Sequence, residues 1–112
     1  MFHDNYVSMI SLIGSPEKYD HKKVHVVGFL TVAFEGNIFY LHEEDFRLGI
    51  GKNAVWADFT KGQLQIDSIK KCAKHYAYIE GTFNSKLDGM NNCCSGSIDS
   101  ITSIGIINRQ DK

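Results

Sequence analysis

Apolar residues recur at two spacings along this chain, and each spacing predicts an element. Val7, Met9, Ile10, Leu12 and Ile13 fall near the helical period of about 3.6, which predicts a short helix over residues 5–13. Asp4 or Asn5 can cap its start, and Gly14 followed by Pro16 can end it. The stretch "SPEKYDHKK" then reads as a turn, because Pro16 favours one and Asp20 can bond its own backbone. Residues 24–34, "VHVVGFLTVAF", are β-branched and aromatic with little alternation. That predicts a long strand covered on both faces. Gly28 inside it predicts a bulge or sharp bend.

Glu35-Gly36-Asn37 reads as a hairpin turn, "IFYLH" (38–42) as the returning strand and "EEDFRLGIGKN" (43–53) as a loop. "AVWADF" (54–59) predicts a third strand. The period then lengthens. Ile66, Ile69 and Ala73 share one helical face, and Asp67 early with lysines late suits the helix dipole, so residues 65–74 read as a helix. "YAYIEGTFN" (76–84) and "SIDSITSIGIINR" (97–109) predict strands four and five. Isoleucines 98, 101, 104 and 107 break alternation in the last strand and predict a bulge near Ser103–Gly105.

Five strands with a helix between the third and fourth is the chain order of an OB-fold, a small Greek-key barrel. "YDHKKVHVVGFL" resembles the first OB strand and "YAYIEGTF" the fourth. The expected fold is therefore mainly β: a five-stranded OB-like barrel over about 22–107, with a short N-terminal helix. SH3-like barrels are the structural competitor. The 112 residues suit a single domain, 1–112, with room for a core of its own.

Composition removes several function classes. No apolar run approaches the roughly 20 residues needed to span a bilayer, and the N-terminus lacks the basic region of a signal peptide. A cytoplasmic protein with no membrane partner is expected. The three cysteines, Cys72, Cys93 and Cys94, are an odd number with two adjacent, unlike a secreted disulfide framework. Free thiols in a reducing compartment are the simplest account. Zinc sites usually place cysteines about two to four residues apart, whereas Cys93 and Cys94 are adjacent, so neither metal nor cofactor is expected. Nucleotide-binding, zinc-protease and hydrolase motifs are all missing, and no enzyme activity is expected.

Charge is uneven. Residues 1–59 carry eight acids against five bases, and residues 60–112 five acids against seven bases. Glu43, Glu44 and Asp45 follow the apolar hairpin, with Phe46 and Arg47 next. As a solvated acidic rim beside aromatic anchors, they suit a basic protein partner, with Glu35 and Trp56 as further contacts. The alternative is a single-stranded nucleic-acid-binding OB domain. It would use Lys70, Lys71 and Lys74, and aromatics such as Phe29, Phe34, Phe39, Tyr40 and Trp56 as stacking platforms. Between Glu35 and Asp58, however, five acids face two bases, which repels a polyphosphate. An exposed apolar edge would equally make a homodimer.

The stretch from "SLIGSPEKYDHKKVHVVGFLTVAFEGNIFYLHEEDF" to "YAYIEGTF" resembles small bacterial single-domain proteins. Some of these look like immunity proteins of toxin–immunity pairs, such as contact-dependent growth inhibition systems. The resemblance implies a cytoplasmic protein that neutralises a cognate toxin domain, often a nuclease with a basic cleft.

Overall fold

The computed structural model describes residues 6–33, 36–86 and 93–107. Five strands, β1 (Lys23–Ala33), β2 (Gly36–Tyr40), β3 (Ala54–Ala57), β4 (His75–Asn84) and β5 (Ser97–Ile106), close on themselves in the order β1-β2-β3-β5-β4. Neighbours run antiparallel except β3 and β5, which are parallel through Trp56–Ser97 and Ala57–Ile98. The Trp56 N–H donates to Gly96 O and the Asp58 N–H to Ile98 O, both at 2.9 Å, and these bonds hold that seam. This is the expected OB-like arrangement.

Alternation decides what fills the barrel. In β4, Ala77, Ile79 and Phe83 are buried while Tyr76, Tyr78 and Glu80 between them are only half-buried. Val24, Val26, Leu30, Phe39, Val55, Ile98 and Ile101 join them in one core. Each fully buried side chain of this kind stabilises the fold by roughly 1.5–3 kcal/mol.

β1 departs from alternation over Gly28–Thr31, where four successive residues are buried. The inward members meet the core. The outward Phe29 belongs to a second cluster with Tyr40 and Ala54, on the outside of the barrel. The expected double coverage of this strand is thus present.

Four short helices complete the described residues: α1 (Met9–Gly14), α2 (Pro16–Tyr19), α3 (Glu43–Leu48) and α4 (Ile66–Lys71). In α1 the Ser8 side chain accepts from the Ser11 N–H at 3.1 Å, a cap that lets Met9 and Leu12 enter the core.

Several boundaries differ from expectation, each for a local reason. The helix expected over 5–13 begins at Met9, and residues 1–5 lie outside the described ones. "PEKY" is the one-turn α2 rather than a turn, with Pro16 at its first position, where a missing N–H costs nothing. Gly36 and Asn37 begin β2 instead of forming the hairpin turn. Segment 43–53 is not loop: it holds α3 and a 3-10 turn, Gly51–Asn53.

α4 is shorter than 65–74, and its buried face is Ile69 with Cys72. Ile66 stays 65% exposed. Gly28 makes no bulge, since its register continues through Ala77. A Cβ there would lie 2.6 Å from Tyr40 O and 2.9 Å from Met9 Cε, so the glycine serves a close approach. The β5 irregularity falls earlier than expected. Glu80 pairs Ser103 and Thr82 pairs Asp99, so the extra residues lie among Ser100–Thr102, where Ser100 has φ +49.

Candidate functional site: the acidic helix and its aromatic seat

The acids after β2 are turned into a helix by their own side chains. His42 is extended and caps α3, and Glu43, Glu44 and Asp45 occupy the first turn, where negative charge meets the positive end of the helix dipole. The Asp45 carboxylate accepts from the His42 N–H at 3.1 Å and from Asn53 Nδ2 at 2.9 Å. It is 7% exposed. The helix ends at Gly49, whose φ of +70 suits the left-handed cap. Ile50 N–H then donates to Asp45 O at 2.8 Å and Gly49 N–H to Phe46 O at 3.2 Å.

Phe46 fixes the helix to the barrel. Its ring centroid lies 6.0 Å from Phe29 and 5.7 Å from Tyr40, over the outer cluster. Tyr76, whose ring is 5.2 Å from Phe29, accepts a hydrogen bond from the Glu43 N–H through its hydroxyl at 2.9 Å. The Lys74 ammonium stands 6.0 Å from the Phe46 centroid. A six-residue helix would not persist alone; here two aromatic contacts and the Tyr76 hydroxyl hold it.

The expected contact residues therefore separate into groups. Glu43, Glu44 and Arg47 are exposed, and Arg47 pairs Glu44 at 3.1 Å. Leu48 (64% exposed) and Ile50 (38%) extend this surface with apolar side chains that the sequence reading passed over. Asp45 and Phe46 face inward as supports. Trp56 sits further along the outer face, opposite Ile38, with its ring against Gly36. Glu35, like Phe34, lies outside the described residues.

Lys70, Lys71 and Lys74 are exposed, and the Lys74 N–H donates to Leu30 O at 2.7 Å. That bond brings the lysine turn beside α3, a neighbour that sequence distance hides.

All three cysteines are free thiols. Cys72 is packed in the core, and burial pushes its thiol up. Burial, followed by a hydrogen bond with Cys93, pushes the Cys94 thiol up as well. Among the described residues no three His, Cys, Asp or Glu side chains gather as a metal site, and no helix is long and apolar enough to cross a membrane.

No protein-family model matches the chain, and no curated protein matches it. Among solved structures it is similar to a protein described as an aspartyl-tRNA synthetase from Leishmania major Friedlin, with a TM-score of 0.55 and 10% identity over 98% of this chain. The match takes in 22% of that protein, so this chain spans about a fifth of its length. At that identity the likeness is one of fold.

Proposed function

We propose that this chain is a cytoplasmic, non-catalytic binding module that docks a basic protein partner on α3 and the turn that follows it. One observation carries the reading: α3, anchored through Phe46, holds the acids Glu43 and Glu44 with the exposed Leu48, and the turn after it adds the exposed Ile50. Apolar side chains ringed by charge are what a protein interface uses for affinity and for steering. The anchoring matters because a preformed surface loses little freedom on binding.

In its finer form the partner is a toxin domain and the chain is its immunity protein. That form rests on the sequence resemblance alone. The test is calorimetric titration of the purified chain with the toxin domain encoded beside it, with an unrelated toxin domain as control. Saturable binding that Glu44→Lys or Leu48→Asp weakens by about tenfold or more is expected. No heat with the neighbouring toxin, together with no protection of cells expressing it, refutes the immunity form.

A second reading has support in the OB-like topology and in three exposed lysines on α4 and the turn after it: contact with single-stranded nucleic acid. Fluorescence anisotropy with labelled single-stranded DNA and RNA at low salt separates the two. Binding that disappears in a Lys70/Lys71/Lys74 triple glutamate variant would move the assignment to nucleic acid.

A further inference from the structure

Away from α3, at the end of the barrel beside α4, the last inward residues of β1 and β3 and the loop after β3 border a cavity of about 480 Å³. Val32, Ala57, Phe59, Leu64 and Ile69 line it, and Trp56 closes one side. Val32, Phe59 and Leu64 pack against the core yet stay only half-buried, so among the described residues the cavity leaves apolar core-edge surface uncovered. Trp56 is held in place by Gly36: at φ +153 that residue brings bare backbone against the indole, and a Cβ would overlap the ring. The volume falls within the range of roughly 300–1,000 Å³ typical of small-molecule sites.

Among the described residues, the polar side chains lining it are Asn37, Asp58, Thr60 and Lys70, of which only Asp58 and Lys70 carry charge. Asp58 is turned toward its own loop, where its Oδ1 accepts from the Thr60 N–H at 2.9 Å and from the Thr60 hydroxyl at 2.6 Å. Lys70 is exposed at the rim, and among the described residues no ion pair involves it. Ile66, 65% exposed on the preceding turn of α4, extends the apolar surface outward.

We propose that this cavity is a binding site for a compact apolar or aromatic anion. The hydrophobic body would lie against Trp56 and Phe59, and the carboxylate or sulfonate would pair with Lys70. The volume fits a small molecule rather than a polymer. Lys70 selects a negative head, and Asp58, with its charge partly met by Thr60, sets the penalty that Lys70 must exceed. The site is separate from α3 and stands whether or not α3 binds a protein.

Trp56 is the sole tryptophan of the chain, so intrinsic fluorescence reports occupancy. The probe is anilinonaphthalene sulfonate, with its neutral analogue N-phenylnaphthylamine alongside. The expected result is saturable one-to-one binding of the sulfonate with quenching of Trp56. Lys70→Met should weaken the sulfonate by roughly threefold to tenfold and leave the neutral analogue within about twofold. Asp58→Asn keeps the acceptor for Thr60 but removes the charge, so it should strengthen the sulfonate by roughly twofold to fivefold. Ile66→Glu, at an exposed position that folding does not need, should weaken both probes. Failure of the sulfonate to saturate, or an equal loss of both probes in Lys70→Met, overturns the proposal.

Discussion

Asp45 is the residue whose role the structure changes most, and replacing it tests the account of α3. In Asp45→Ala the His42 N–H and Asn53 Nδ2 both lose their acceptor. A hydrogen bond to a charged group contributes about 1.5–3 kcal/mol, and loss of a helix cap costs about 0.5–2 kcal/mol. The two descriptions overlap, because the bond to His42 is the cap. Water can also reach the Asn53 amide once the carboxylate is gone. The expected loss is therefore about 2–3 kcal/mol in a urea unfolding curve followed by circular dichroism. Asn53→Ala alone should cost less, and the Asp45/Asn53 double-mutant cycle should return a coupling of about 1 kcal/mol or more. Glu43→Ala and Glu44→Ala, on exposed side chains, should stay within about 0.5 kcal/mol. An Asp45→Ala variant as stable as these two would mean that the carboxylate does not hold α3, and the account of that helix would fail.

Three further outcomes follow from the same contacts. Phe46→Ala removes a half-buried ring from Phe29 and Tyr40; it should cost about 1.5–3 kcal/mol and speed hydrogen exchange in 43–50 before the barrel strands, as read by mass spectrometry. Gly28→Ala drives a Cβ against the Tyr40 carbonyl and should cost about 1–3 kcal/mol, whereas Gly14→Ala, with nothing within 4 Å, should be near neutral in the same urea assay. The Asp20 carboxyl is held below its ordinary value of 3.8, first by the Ser85 N–H that donates to it at 2.8 Å and also by the nearby charges of His21 and Lys86. Its contribution is complete above that ordinary value and is lost as pH falls through the folded one, so the gap between wild type and Asp20→Asn should close in acid.

The strands were legible because their cause is local. β-Branched and aromatic runs bounded by turn residues favour strands, and the barrel order followed from counting them. α3 was not legible, although its signals are present: acids in the first turn, Arg47 in the last, Gly49 just after. Six residues are too few to show a helical period, and its stability comes from Tyr76, 33 positions away, and from Phe29 beneath it. The α4 face was misjudged for a related reason. Ile66 matches the apolar period but stands at the cavity mouth, while Cys72 takes the buried place. The cavity itself joins residues 32 to 70 and has no signature in any single segment.

The hairpin's aromatics also bear on which partner fits. Of the residues expected as stacking platforms, Phe29, Phe39 and Tyr40 are 3%, 0% and 8% exposed. Phe39 fills the barrel, and the other two lie under Phe46. Single-strand recognition needs successive bases to find open ring faces. Among the described members of that set, Trp56 alone keeps a half-open ring, and it stands beside Asp58. On the residues expected for it, nucleic-acid contact would then rest on Lys70, Lys71 and Lys74 as point charges. That is a weak and steeply salt-dependent mode. α3 sits on the other surface these aromatics could have offered, and with the turn after it carries Glu43, Glu44, Leu48 and Ile50 in its place. On the described members of that set the outer face offers bases little, and the surface laid over Phe29 and Tyr40 is the acidic one proposed above to dock a protein.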